Sequence, residues 1–84
     1  MDNKALVEIS VPAAGSSYDV YIPLDIRMSE VLKLVSGLLS ELSSGKYKAT
    51  ADAVLCDAES GIIFNVNREA AELGIKNGSR LMLI

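Results

Sequence analysis

Apolar and polar residues alternate along the first stretch of the chain. In KALVEISV, residues 4–11, Ala5, Val7, Ile9 and Val11 fall on one side and Leu6, Glu8 and Ser10 on the other. A period of two is the pattern of a strand with one buried face. PAAGSS follows, a small-residue turn of hairpin length. YDVYIPL then alternates again, with Tyr18, Val20 and Ile22 opposed to Asp19 and Tyr21. The two runs predict an antiparallel hairpin. Pro23 has no amide to give a ladder, so its strand is expected at a sheet edge or ending there.

The period then changes. Met28, Val31, Leu32, Val35, Leu38, Leu39 and Leu42 recur at helical spacing and predict one continuously apolar helix face, with Leu34 at its margin. Asp25 stands where an N-cap carboxylate can accept the free amides of the first turn. Gly45, within SSGKYK, is expected as the C′ residue that ends the helix. Such a stripe can also lie on a membrane surface, but the polar face here is serine-rich and not basic. A core helix laid across a sheet is the better reading.

Beyond the helix, ADAVLCDA reads as a third strand, ESG as a tight turn and IIFNV as a short fourth strand. NREAAELGI is too short for a stable free helix and reads as one helical turn closing on Gly74. KNGS is a turn, with Asn77 and Gly78 suited to positive φ. RLMLI is the last strand. The predicted order is β-β-α-β-β-short helix-β, an α+β domain spanning residues 1–84 with no repeat, linker or low-complexity segment.

Composition narrows what such a domain can do. At 84 residues, with 50% hydrophobic and 23% charged, the chain can bury a small core. A net charge of −3 offers little to a phosphate backbone, so nucleic acid is not an expected partner. MDNKALVEIS has no basic segment followed by an apolar run, and no stretch approaches the roughly 20 apolar residues of a membrane span. Direct membrane insertion is therefore not expected, and Asn77-Gly78-Ser79 is a turn rather than a glycosylation site. The single cysteine, Cys56, allows no internal disulfide and suits a reducing cytosol.

Candidate chemistry is sparse. The sequence contains no histidine, which removes the commonest general acid–base residue and the commonest metal ligand. Cys56 has no histidine base to activate it and lies beside Val54, so it reads as a buried structural thiol. Asp52, Asp57 and Glu59 form a loose acidic group without a calcium-loop pattern. SSGKY lacks the first glycine and the Ser or Thr after lysine that a phosphate loop needs. No catalytic, cofactor-binding or metal-binding residue is assigned, no cofactor is expected, and the chain reads as a non-enzyme that binds through its surface.

The element order, together with NREAAELGIKNGSRLMLI, resembles the ubiquitin-like β-grasp superfamily. The shared features are a hairpin, a long helix, two strands, a short helical turn and a last strand, with Leu73-Gly74-Ile75, a turn and Leu81-Met82-Leu83 forming the ending. The resemblance implies a mixed five-stranded sheet with the long helix packed across one face. Within the superfamily, the length, the run YDVYIPLDIRMSEVLKL and the ending LGIKNGSRLMLI are most similar to the small bacterial YukD/EsaB proteins of type VII (ESX-like) secretion systems. That resemblance implies a cytoplasmic accessory protein of Gram-positive bacteria, recruited to a membrane machine built on a secretion ATPase. Ubiquitin and the sulfur carriers extend into a flexible Gly-Gly tail that threads into a narrow enzyme site. The sequence here ends at Ile84 without a glycine pair, so conjugation and sulfur transfer are not expected. A covalent modifier or sulfur carrier is the first competing reading. A ubiquitin-like interaction module of another bacterial assembly is the second.

In the family's register Leu81 and Leu83 face the helix, and so do Val54 and Cys56 of the third strand. That turns Leu55, Met82 and Ile84 outward as an apolar patch on the open sheet face, with Leu6 widening it. Clustered exposed apolar groups mark a partner site, in the resemblance a membrane secretion ATPase or an associated subunit. A sheet margin or a homodimer contact is the plainer reading of the same residues. The edge of the second strand, at Asp19 and Tyr21, is the other surface that could accept a partner.

Overall fold

A computed structural model describes residues 3–84. The alternating runs form the expected hairpin: β1 (Lys4–Val11) and β2 (Ser16–Pro23) pair antiparallel in register from Lys4 with Pro23 to Val11 with Ser16. A 3₁₀ turn at Pro12–Ala14 joins them and ends on Gly15 at φ 65°, a left-handed conformation suited to glycine. The helix α1 spans Met28–Leu42, β3 is Leu55–Asp57, a second 3₁₀ turn covers Ala71–Leu73, and β4 is Arg80–Leu83. The sheet runs β2-β1-β4-β3, with β4 parallel to β1 and antiparallel to β3. Pro23 lies at the end of an edge strand, as its missing amide requires.

The core sits between α1 and one face of the sheet. Ala5, Val7, Ile9 and Val11 of β1, Val20 and Ile22 of β2, and Leu81 and Leu83 of β4 are buried there. Met28, Val31, Val35 and Leu39 meet them from α1. Each large aliphatic side chain so buried contributes about 1.5–3 kcal/mol relative to leaving it in water. Leu38 and Leu42, expected on the buried stripe, are exposed, and Leu32 is half-buried. The buried face of α1 is narrower than its leucine content implies. Ser36 occupies part of it, its hydroxyl 3.4 Å from that of the buried Tyr47.

The predicted five-stranded sheet is corrected to four strands among the described residues. Residues 62–66 make an isolated bridge between Ile63 and Cys56, with the Asp57 amide donating to the Ile62 carbonyl and the Phe64 amide to the Leu55 carbonyl. The expected N-cap at Asp25 is also corrected. The N-cap position is Arg27, without a side-chain cap, and Asp25 is exposed. These corrections have one physical cause. The Met28 amide donates to the Arg68 carbonyl at 2.8 Å and the Ser29 amide to the Val66 carbonyl at 3.0 Å. An Asx turn, in which the Asn67 amide donates to Asn65 Oδ1 at 2.9 Å, helps bend the chain away from β3. After pairing with β3 at Ile62–Phe64 the chain turns away, and the carbonyls of Val66 and Arg68 satisfy two orphan amides of the helix.

The helix terminus differs from expectation by one residue. The Gly45 amide donates to the Ser40 carbonyl and the Ser44 amide to that of Glu41, the paired bonds of a Schellman ending. The C′ residue is therefore Ser44, at φ 55°, and Gly45 follows it. Tyr47, read from sequence as part of the terminating loop, folds back into the core with its amide donating to Ser43 Oγ at 2.9 Å.

Candidate functional site: the uncovered sheet face

Side chains of β1, β2 and β4 that point away from α1 form the uncovered face. Leu6 pairs with Tyr21 and Glu8 with Asp19 across the hairpin. On the other side of β1, Glu8 pairs with Arg80 and Ser10 with Met82. Directly opposed residues project to the same face, so these positions share one surface. Leu6 is 39% exposed and Tyr21 67% exposed, while Met82 is half-buried and Ile84 is 56% exposed.

The predicted patch of Leu6, Leu55, Met82 and Ile84 is not one surface. Leu55 is 4% exposed and pairs with Leu83, so it faces α1 as part of the core. Cys56 pairs with Met82 and takes the opposite side, its Sγ 3.7 Å from the Met82 carbonyl. The expectation that Val54 and Cys56 face the helix and Leu55 faces out is therefore reversed by a one-residue change of register. Val54, Leu55 and Cys56 are all apolar, so no alternation in that run marks its inner side. Cys56 is nonetheless buried and unpaired with another sulfur, as the thiol reading required.

Leu6 is also separated from Met82. Arg80 lies between them, with Nε 4.0 Å from Glu8 Oε1 and Nη1 3.8 Å from Glu59 Oε2. Along β1 the four steps from Leu6 to Ser10 span about 13 Å. The uncovered face thus has an apolar end at Leu6 and Tyr21, a charged middle at Glu8 and Arg80, and a second apolar end at Met82 and Ile84. A shallow depression of about 500 Å³ lies at the first end, floored by Leu6 and Tyr21 and rimmed by Lys4, Asp19, Asn77 and Arg80. The KNGS turn builds part of its wall. Asn77 Oδ1 accepts from the Leu6 amide at 2.7 Å, and the Gly78 amide, at φ 89°, donates to the Leu6 carbonyl. The backbone of Ile84 is held by two hydrogen bonds with Val54, at 2.8 and 2.9 Å.

Two further apolar surfaces escaped the sequence reading. Ile62, Ile63 and Val66 are exposed beside the N-terminal half of α1, where Met28, Leu32 and Phe64 line a small apolar cleft. As a full strand the run IIFNV would bury one side, but its pairing with β3 is limited to Ile62–Phe64. Leu34, Leu38 and Leu42 are exposed on α1 itself. Their four-residue spacing was visible in the sequence, but the choice of buried arc was not.

Among the described residues, no group of three or more histidine, cysteine or acidic side chains converges on a metal-sized site. The Asp57 carboxylate accepts from the Ser60 amide at 2.8 Å, and bonding to Ser60 holds its pKa below the ordinary value. That bond belongs to the 57–61 turn, where the Gly61 amide also donates to the Asp57 carbonyl. Among the described residues no helix is long and apolar enough to cross a membrane.

A hairpin, a helix across one face and a last strand inserted parallel to β1 define a ubiquitin-like α+β fold. The ubiquitin-like domain of EccD1, a type VII secretion system protein of Mycobacterium tuberculosis, superposes with a TM-score of 0.70 at 17% identity, covering 95% of this chain and 98% of that one. The EccD5 ubiquitin-like domain of Mycobacterium xenopi gives a TM-score of 0.70 at 25% identity, covering 96% and 92%. A chain of an ESX-5 inner membrane complex gives 0.72 at 22% identity; 98% of this chain matches 21% of that one. The chain belongs to the YukD family, described as protein YukD of the WXG100 protein secretion system, whose profile matches residues 6–83. No curated protein matches it.

Proposed function

We propose that this chain is a non-enzymatic accessory protein of a type VII (ESX-like) secretion system, working in the cytoplasm as a single ubiquitin-like domain. It binds protein partners through the uncovered sheet face and is recruited by them to the membrane. The partner is a membrane secretion ATPase or a subunit associated with it. The observation that carries this reading is the family match across residues 6–83. The likeness to a segment of an ESX-5 inner membrane complex chain supports a partner within such a machine. On the domain itself, Met82 and Ile84 form the favoured contact, and Leu6 with Tyr21 the second, because these apolar groups lie uncovered at the two ends of one face. The free edge of β2 is the lower-ranked surface, since Pro23 shortens it.

Cross-linking in native cells tests this reading, with the chain tagged ahead of residue 3 and captured proteins identified by mass spectrometry. Recovery of a membrane secretion ATPase, lost with Met82→Asp in a variant that stays folded, is the expected result. Recovery of an adenylating enzyme, or of proteins joined covalently to the chain, would replace adaptor by modifier. Retained capture by folded Met82→Asp and Leu6→Asp variants would discard the sheet face.

A further inference from the structure

We infer that the outer side of α1 is a self-association surface, on which two copies of this chain pack antiparallel about Gly37. The helix carries two adjacent rows of residues four apart on its exposed side. One row is Leu34, Leu38 and Leu42, exposed by 56%, 40% and 49%. The other is Lys33, Gly37 and Glu41, all exposed. Rows at this spacing are the ridges by which helices interdigitate, and the leucine ridge runs for about 12 Å.

Gly37 is the residue that the domain itself does not explain. A glycine inside a helix is destabilising relative to alanine, because the unfolded chain loses more freedom. Gly37 does not have a positive φ. A Cβ built there would meet nothing within 4 Å. Neither the backbone nor the packing of this chain requires glycine at that position. Toward an external helix, however, it opens a gap in the middle of its row, flanked by the leucine ridge. A second helix can approach closely there.

The charges select the occupant. Lys33 lies one turn before Gly37 and Glu41 one turn after it. Among the described residues, neither takes part in an ion pair within the chain. A two-fold axis at Gly37 sets Lys33 of each copy opposite Glu41 of the other, brings the two glycine gaps face to face and lays the two leucine ridges against each other along one side of the contact. A parallel arrangement would set like charges together. The surface is complementary to itself in the antiparallel sense, which is what a two-fold interface demands. Three leucines on one helix bury less than the roughly 1,000 Å² expected of a stable interface, so the dimer is weak. It also leaves the uncovered sheet face, on the opposite side of the domain, free for another partner.

Sedimentation equilibrium on the full chain, from micromolar to millimolar concentration, tests the inference. A monomer–dimer equilibrium is expected. Lys33→Glu and Glu41→Lys should each weaken it by roughly tenfold, since every reversal sets two like-charged pairs across the two-fold. The double variant should restore it, an effect that no contact within one chain can mimic. Gly37→Gln should abolish dimerisation while leaving the melting temperature unchanged or raised, which separates lost association from lost folding. A monomer at every concentration would overturn the inference. So would charge reversals without effect, a double variant that stays weak, or a dimer that resists Gly37→Gln.

Discussion

In β1, β2 and α1, the backbone pairs with its neighbours in repeating ladders, and the side chains take their burial from a period of two or of 3.6. Between residues 43 and 79 only Leu55–Asp57 is strand, and the chain is held by single, unlike contacts. Tyr47 and Leu55 reach into the core, Ser43 Oγ accepts from the Tyr47 amide, and the carbonyls of Val66 and Arg68 cap the helix. The first region spends its backbone groups within its own elements. The second combines local turns with a few long-range bonds: the Val66 and Arg68 carbonyls accept from the first amides of α1, and the Ala70 and Ala71 amides donate to the Ile26 and Leu24 carbonyls.

That contrast can be broken most decisively at Leu55. If the irregular region is anchored by its few buried side chains, Leu55→Asp should unfold the domain. A carboxylate placed among Leu83 and the other core residues would cost several kcal/mol, a large share of the stability of so small a domain. Tyr21→Asp, in the regular hairpin but on its exposed face, should change stability by no more than about 0.5 kcal/mol. Urea denaturation of the two variants compares them directly, and a folded Leu55→Asp would mean that the region is dispensable.

A smaller effect sharpens the comparison at the helix start. First-turn amides ordinarily exchange freely with solvent, whereas those of Met28 and Ser29 should be protected by the carbonyls that receive them. Asn65→Ala removes the acceptor of the Asx turn and should cost about 1 kcal/mol, with protection falling at both amides together. Hydrogen exchange read by NMR measures this, and unprotected amides in the unaltered protein would remove the tertiary cap from the account.

At the other end of α1, Ser44 holds a left-handed conformation that favours glycine. Ser44→Gly should stabilise the protein by about 0.5–1 kcal/mol, visible as a rise in melting temperature. The smallest effect concerns Asp57. Its carboxyl is held below its ordinary pKa by Ser60, so the turn gains stability above the unfolded-state pKa and loses it as pH falls through the folded-state value. Asp57→Asn should flatten that acid-range slope in thermal melts, and an unchanged slope would assign it to other carboxylates.

The sequence was most legible where the element that buries a side chain is adjacent in the chain. Ala5, Val7, Ile9 and Val11 declared their inner face because Leu6, Glu8 and Ser10 interrupt them, and the hairpin partner follows at once. Val54-Leu55-Cys56 carries no such interruption, so its facing depended on pairing with β4, some 26 positions away at Met82. The candidate site inherited this difference. Met82 and Ile84 lie on the uncovered side, as the family's register implied; the apolar run Leu81-Met82-Leu83-Ile84 does not itself mark an inner side. Leu55 was misplaced, and Leu6 was placed on the right face but too close to Met82, because Arg80 and its acidic neighbours come between.

By itself the sequence determined the hairpin, the helix, the closing strand and their order, since period, turn residues and breakers act over a few residues. It also contains no histidine, so no imidazole serves as an acid, a base or a metal ligand. Only the tertiary structure decided which arc of α1 is buried, which side of β3 faces it, and where residues 62–66 stop pairing with β3 and turn to cap the helix. Each of those outcomes is a competition between partners distant in sequence, and local pattern leaves both options equally well formed until packing selects one.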